Sequence, residues 1–451
     1  MPLVPPGVVS AEALVTDPDI AASYAVDSSY GATAPSHFEV VRARDEADVV
    51  AVLEHAHAHG IPVVPQGART SVTGASTATE GAIVLNVEDL RALDLDPVEG
   101  HARVGPGVVT RELKAAAAEA GLAYPPDPAS SDSCTLGGNV ATNAGGLCCI
   151  KYGVTGDYVK GLEVVLPGGE RMRTGKRTAK GVAGYDLTGL MVGSEGTLGV
   201  VTAAHLRLIP APDPALTALA TFDSLDAAVR GVLGLRALRH RPSLLEFLDA
   251  ASLAAIQAVG DFGFPSRCAA ALLVQSDRPG HAGEDAQRYA AVLADAGADE
   301  VAVADTQQEG ELLMLGRRML NHAYEVKGAR LAEDMCVPIA RLGDFVRAGQ
   351  DLSARTGIEI TLAGHGGDGN LHPSLFFAHG DLDAWHRAEA ALDELLQICL
   401  GLGGTITGEH GIGTAKRRLL PHELGAAEME RQRAIKALFD PRGIMNPGKV
   451  Y

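Results

Sequence analysis

A chain of 451 residues is too long for one ordinary core, so two or three domains are expected. Hydrophobic residues at 46% and charged residues at 21% are the balance of a soluble globular protein, which excludes a disordered chain, a coiled coil and a collagen-like rod. With 38 Lys and Arg against 56 Asp and Glu the net charge is -18, so a phosphate backbone is repelled and nucleic acid is not expected as a partner.

In chain order, Phe38 to Arg42 reads as a strand and Asp45 to Gly60 as an amphipathic helix with Val49, Val50, Leu53 and Ala56 on one face. Asp45 caps that helix and Gly60 ends it. Ile61 to Pro65 and Ala82 to Val87 are apolar strands, which completes a βαβ-type unit. His101 to Gly107 opens a second unit, and Thr110 to Ala120 is helical up to Gly121. A long stretch rich in Gly, Ser and Asn runs from Pro125 to Gly146 and reads as loop. Val159 to Leu166, Glu170 to Thr174 and Gly199 to Ile209 are strands, and the Pro-rich piece Pro210 to Pro214 reads as a domain boundary. Beyond it, Ser224 to Leu238 and Ala282 to Ala296 are helical, while Ser243 to Leu248 and Ala269 to Gln275 are strands. This is the texture of an α+β domain over an antiparallel sheet.

Two further exclusions come from the chain's punctuation. No apolar run is long enough to span a membrane, and the start, Met1 to Ser10, lacks the basic n-region of a secretory signal. The six cysteines, Cys134, Cys148, Cys149, Cys268, Cys336 and Cys399, are too few in a chain this long for a disulfide framework, and they form no CxxC pair, which argues against a zinc finger or an iron–sulfur cluster.

Glycine-rich loops carry the function. Pro65 to Gly74 follows an apolar strand and presents backbone N–H groups and hydroxyls suited to an anion. Ser130 to Gly146 is a second such loop, flanked by apolar segments as a loop packed on a large polar ligand would be, and Gly193 to Gly199 is a third. Together they point to a phosphate-bearing cofactor. No GxxxxGK[ST] occurs, and the one GxGxxG, at Gly364, Gly366 and Gly369, leads into a strand where the Rossmann fingerprint needs a helix.

These residues resemble the FAD-linked oxidoreductases of the vanillyl-alcohol-oxidase type, and more closely the group of D-lactate dehydrogenases, glycolate oxidases and D-2-hydroxyglutarate dehydrogenases among them. The likeness runs from about residue 35 to the C-terminus. It rests on the Gly67 to Gly74 loop, Thr135-Leu-Gly-Gly-Asn139, Asn143-Ala-Gly-Gly146, Lys151-Tyr-Gly153, Gly184-Tyr-Asp-Leu187 and Ser194-Glu-Gly-Thr-Leu-Gly199. Further along it rests on Glu333-Asp334, Val337-Pro338, Gly364-His365, Gly367 to His372, Gly408-Glu-His-Gly411 and Asn446-Pro-Gly-Lys449. The resemblance implies an α+β chain: a two-part FAD-binding domain over residues 1–210, then a C-terminal cap domain with an antiparallel sheet over 211–451, of which about 405–451 packs back on the first domain. To FAD it assigns Gln66, Gly67, Ala68, Arg69, Thr70, Ser71, Gly74, Pro128, Ser131, Thr135, Gly138, Asn139, Thr142, Gly145, Glu195, Gly199, Val201 and Asn446. The family's first loop usually reads Arg-Gly-x-Gly-Thr, whereas here it reads Gln66-Gly-Ala-Arg-Thr70. Relatives that tether FAD covalently carry a His in this loop; its absence here implies noncovalent FAD.

The strand Ile358 to Ala363 leads through a wide glycine turn to Leu371-His372, so His365 and His372 can face each other across a hairpin and invite a divalent metal. Glu409, between Gly408 and His410, suits a third ligand. The resemblance agrees: His365, His372 and Glu409 match a zinc or manganese site with an open position, and His410 matches the catalytic base. In the family an Arg clamps the substrate carboxylate, and Arg317 aligns with it. The subgroup acting on 2-hydroxyglutarate carries Thr and Lys, plus an Asn after the second His, where this chain has Asn321, Ala332 and Ser374. The missing Lys argues for a small D-2-hydroxy acid of the lactate or glycolate type. A D-2-hydroxyglutarate dehydrogenase, a sugar or lactone oxidase, and a flavin subunit of a glycolate oxidase complex are the alternatives. Expected partners are the hydroxy acid and an electron acceptor (quinone, cytochrome or flavoprotein), with a homodimer or a partner subunit. The expected location is cytoplasmic, including the inner face of the membrane.

Overall fold

The computed structural model describes residues 2–451, and the chain divides into two compact units. The first takes the chain up to Gly145, then Val154–Ala211 and Glu409–Tyr451; the second takes Gly146–Gly153 and Pro212–Gly408.

The first unit holds a four-stranded sheet in the order Leu14–Val15, Phe38–Arg42, Ala82–Asn86, Val63–Gln66. The last three strands are parallel, with Phe38 opposite Ala82 and Val63 opposite Ile83. Ala82–Asn86 is buried along its whole length, as the middle strand of a covered parallel sheet must be. The helix Glu46–His59 covers this sheet. Asp45 accepts from Asp48 N at its start, and Gly60 ends it at φ 67. Val49, Val52, Leu53 and Ala56 are buried, while Val50 is only half-buried. The buried stripe is therefore turned slightly from the expected one, because Val52 fills the core beside Leu53. The C-terminal segment returns to the same sheet. Val63 N donates to Ile444 O at 2.8 Å and Asn446 N to Val63 O at 2.7 Å, and Ile444 and Met445 join the core. Lys449 is nearly buried and donates to Thr77 O; burial pushes its ammonium down to about 8.

The unit's second sheet is five-stranded and antiparallel, in the order Leu93–Asp96, His101–Val104, Val200–Arg207, Val159–Val165, Arg171–Arg173. Its first strand has no counterpart in the sequence reading, since four alternating Leu and Asp residues are too short a signal. The Gly-rich stretch read as loop contains a helix, Leu136–Thr142. Helix propensity is low there, but Gly137 lets the helix lie flush on Pro106, where a Cβ would meet Pro106 Cβ at 2.5 Å. Asn143, at φ 52, ends it.

The second unit is an antiparallel sheet in the order Glu300–Val303, Leu216–Phe222, Ala270–Ser276, Leu244–Asp249, Glu359–His365, Asn370–Phe377, Ala329–Ala332, with Met335–Cys336 pairing to Asn370–Phe377. The helices Leu225–Arg236, Ala250–Val259, Ala282–Asp295 and Leu342–Thr356 pack against it. Leu244–Asp249 is buried throughout and forms the centre of this core. The expected α+β texture and the hairpin around Gly366 to Gly369 are both present. Among the described residues no helix is long and apolar enough to cross a membrane.

Glu163 ties three strands of the five-stranded sheet together. It accepts from Arg103 Nε at 3.0 Å and Nη2 at 2.9 Å, and lies 3.1 Å from His205 Nε2. The Arg103 hydrogen bonds hold its carboxyl at about 2, against 4.5 for an ordinary Glu. A depressed folded-state pKa stabilises above the unfolded value and loses that contribution as pH falls through the folded one. Glu163→Gln should therefore cost roughly 2 kcal/mol at neutral pH, with the gap closing below pH 4.5. Urea titrations at pH 7 and pH 3 check this; a gap that does not change with pH rules out the ion pair as its source.

Candidate active site

In the first unit the loop after the strand Val63–Gln66, the loop before and within the helix Leu136–Thr142, and the turn Ser194–Gly199 enclose a cavity of about 300 Å³. The wall is made largely of backbone and short side chains. Arg69 at φ 58 and Glu195 at φ 50 hold left-handed conformations where the chain bends around it. A Cβ on Gly67 would collide with Thr135 Oγ1, so only glycine lets these two loops meet. Thr135 Oγ1 is buried and has no hydrogen-bond partner in the protein, although Thr135 stands at the helix N-cap. A buried hydroxyl left without a partner costs free energy, and a ligand oxygen or nitrogen in the cavity would remove that cost. Close backbone approach and an orphan hydroxyl fit an extended polar cofactor such as FAD.

The departures from the family's first loop have structural counterparts. Arg69 Nη1 donates back to Gly67 O at 3.3 Å and to Glu88 Oε2 at 3.1 Å, and the guanidinium lies 4.4 Å over the Tyr24 ring. Gln66 Nε2 donates to Tyr24 O at 2.8 Å and Ser76 O at 2.6 Å.

Glu409 and His410 also line this cavity. The segment after them is fixed by Glu195, whose carboxylate accepts from Ile412 N and Gly413 N, both at 2.8 Å. Burial raises the Glu195 carboxyl, and these N–H groups and Lys416 oppose that rise. A Cβ on Gly411 would come within 3.0 Å of the same carboxylate, so the turn needs its glycine.

In the second unit the hairpin Glu359–His365 and Asn370–Phe377 sets His372 opposite Ala363 and His365 opposite Asn370. Residues 363 and 365 share a face, so the two imidazoles lie diagonally on one side of the hairpin. Their Nε2 atoms are 3.4 Å apart, with the rings near perpendicular at 81°. His365 Nδ1 is 2.6 Å from Glu246 Oε1, and Glu246 is fully buried on the central strand Leu244–Asp249. The carboxylate draws the proton to Nδ1 and leaves the Nε2 lone pair aimed at His372, the arrangement of a metal-ligating histidine with its carboxylate partner. Glu246 also takes Arg317 Nε at 2.6 Å, from the helix Leu315–Lys327. Burial would raise the Glu246 carboxyl, but His365 and Arg317 together hold it below the usual range. Asp334, fully buried, accepts from Thr407 Oγ1 at 3.0 Å and Gly408 N at 2.6 Å, which fixes the last residues before Glu409. Gly408 has no room for a side chain, since a Cβ would stand 2.5 Å from Asn370 Oδ1.

Of the residues assigned to the cofactor, Gln66, Gly67, Arg69, Thr70, Ser71, Pro128, Thr135, Gly138, Asn139, Thr142, Gly145, Glu195, Gly199 and Val201 are on the cavity wall. Ala68, Gly74, Ser131 and Asn446 are not. Gly74 packs on Thr414, Ser131 N bonds Pro128 O, and Asn446 Nδ2 bonds Ala75 O and Glu195 O. Val87, Pro106, Met191 and Val200 also line the cavity but lie outside the loops read from the sequence; they are apolar wall residues without a motif of their own, and for Val200 adjacency to Gly199 was the available signal. Of the substrate determinants, Ala332 and Ser374 pair across neighbouring strands, and Asn321 lies one helical turn beyond Arg317.

Comparison with known proteins agrees with this picture. Residues 39–175 match the FAD binding domain family, and residues 211–450 match the family of FAD linked oxidases, C-terminal domain. The chain is 40% identical over 415 residues to glycolate oxidase subunit GlcD of Bacillus subtilis, covering 91% of this chain and 88% of that protein. It is 36% identical over 420 residues to D-lactate dehydrogenase of Archaeoglobus fulgidus, covering 92% of each. Among solved structures it is similar to p-cresol methylhydroxylase, with a TM-score of 0.77 at 17% identity over 98% of this chain and 94% of that one, a likeness of fold.

Removing Glu246 strands a half-buried guanidinium and a buried imidazole without their acceptor. Glu246→Ala should lower the unfolding free energy by roughly 3–5 kcal/mol, and Glu246→Gln by less. Urea unfolding followed by circular dichroism checks this; a loss under about 1 kcal/mol would show that the carboxylate organises neither partner.

Proposed function

Since the chain belongs to the family of FAD-linked oxidoreductases that includes glycolate oxidase subunit GlcD and D-lactate dehydrogenase, we propose that it oxidises a small D-2-hydroxy acid, of the lactate or glycolate type, to the 2-oxo acid. The observation that carries this reading is the imidazole pair His365 and His372, with the His365 tautomer set by Glu246. Two such nitrogens suit a divalent cation, zinc or manganese, with Glu409 as the third ligand that the Gly408-Glu-His-Gly411 motif implies. A 2-hydroxy acid offers a hydroxyl and a carboxylate oxygen to one cation, which a plain alcohol does not. The cation would supply the positive charge that lowers the pKa of the hydroxyl.

FAD, when bound, supplies the two-electron acceptor. Gly67, Thr135 and the other wall residues of the first-unit cavity hold it noncovalently, because Gly67 to Gly74 contains no histidine for a covalent tether. His410 takes the hydroxyl proton as general base. Its backbone is set by the Glu195 bonds to Ile412 and Gly413, so the imidazole meets the substrate in a fixed orientation. Arg317 receives the substrate carboxylate through its Nη groups while its Nε stays on Glu246. Ala332 brings no cation for a distal carboxylate, which supports a small monocarboxylate over 2-hydroxyglutarate. Electrons leave to a quinone, a cytochrome or another flavoprotein. The relative named as a subunit favours a second reading, in which this chain is the flavin subunit of a larger assembly.

A panel of D- and L-2-hydroxy acids with a dye acceptor should give the highest kcat/KM for D-lactate or glycolate; a clear preference for D-2-hydroxyglutarate overturns the assignment. EDTA should abolish that turnover while the flavin stays bound, and acid precipitation should release all of the flavin. In His410→Ala, reduction of the flavin by D-lactate should slow by roughly 10²–10⁴-fold with flavin content unchanged. Reduction at the wild-type rate in rapid mixing removes His410 as the base.

A further inference from the structure

We propose that the five-stranded sheet of the first unit carries a separate binding site for a phosphate-type oxyanion. Its polar face holds a basin of about 500 Å³ walled by Arg103, Lys160, Arg173, Lys176, Arg177 and His205. The sheet register assembles these residues. His205 is opposite both Arg103 and Gly161 on its two neighbouring strands, and Glu163 is opposite Arg173. The chain beyond Arg173 stays beside the strand Val159–Val165: Thr174 N donates to Leu162 O at 2.9 Å and Lys176 N to Lys160 O at 3.0 Å. Gly161 allows that approach, since a Cβ there would stand 2.5 Å from Thr174 O. Lys176 and Arg177 are thereby set at the rim of the basin.

Charge points to the ligand class. The only acid on the wall is Glu163, and Arg103 and His205 already take it. Among the described residues, Lys160, Arg173 and Arg177 have no ion-pair partner, and Lys176 Nζ bonds only a carbonyl, Ala183 O. In a chain of net charge -18 this is a local concentration of unneutralised cations. Guanidinium groups match the paired oxygens of a phosphate better than a spherical halide.

A second observation is independent of the surface charges. His205 is 7% exposed and on the wall, its Nε2 is taken by Glu163, and its Nδ1 is buried with no hydrogen-bond partner. His101 stacks on it at 5.4 Å, and its Nε2 is buried without a partner too. Both imidazoles are held below the usual range, first by burial and then in part by Arg177. His101 also feels His205, with Asp96 and Glu99 opposing; His205 feels Arg103, with Glu163 opposing. An oxyanion among the cations relieves the repulsion and gives a protonated Nδ1–H an acceptor, so binding should be coupled to proton uptake by these rings.

The test uses the FAD-loaded full chain and sodium pyrophosphate, with sodium chloride at matched ionic strength as the control. Calorimetry should show saturable binding of one pyrophosphate per chain with more proton uptake at pH 7 than at pH 5, and NMR should show shifts in the His101 and His205 ring resonances. Arg173→Ala with Arg177→Ala should weaken binding by roughly tenfold or more with an unchanged flavin spectrum. Arg111→Ala, an exposed cation elsewhere on this unit, should leave it unaltered. Repeating the titration with glycerol 3-phosphate assigns the site to an esterified phosphate if it binds more tightly, and to the free anion if it does not. No heat beyond the chloride control, or equal affinity in the double variant, overturns the proposal.

Discussion

A carboxylate with no solvent exposure, Glu246, holds the chemistry of the second unit in place. It stands on the central strand, accepts from His365 on the adjacent strand, and accepts from Arg317 on the helix Leu315–Lys327. Burying a charge is costly, and even a well-paired buried ion pair often contributes little net stability. Its return here is positional. One group sets a histidine tautomer, a ring orientation and the direction of a guanidinium fork, and all three would otherwise be spread over rotamers.

The same device recurs around the dipeptide Glu409-His410. Asp334 holds the backbone before it in the second unit, and Glu195 holds the backbone after it in the first. Both use carboxylate oxygens on backbone N–H groups, so the chain on either side of the dipeptide is fixed through its main chain. Gly408 and Gly411 make this possible, because any side chain there would strike Asn370 or the Glu195 carboxylate. Glu195 illustrates how a motif residue's role depends on context. It lies on the cavity wall, but its oxygens are spent on Ile412 and Gly413, so it positions its neighbours.

Net charge describes such a molecule poorly. The chain carries an overall excess of acid, yet one sheet gathers cations with a single acid among them. Those cations are scattered in sequence from Arg103 to His205 and meet only because antiparallel register sets them side by side.

Local signals were enough for the sequence to determine much of this protein. The βαβ unit, the Asp45 and Gly60 helix caps, the glycine loops that line one cavity and the His365/His372 hairpin all follow from periodicity or from residues with special backbone freedom. What it left open depended on contacts between distant residues. The helix Leu136–Thr142 forms against its own propensity because Gly137 fits onto Pro106, and the apolar cavity wall of Val87, Met191 and Val200 carries no motif. Glu246 reads in sequence as one polar residue in an apolar strand, and no pattern assigns it partners 71 and 119 residues away. Spacing along a chain reports which face a residue takes; which distant charge it meets is decided only when the sheet closes.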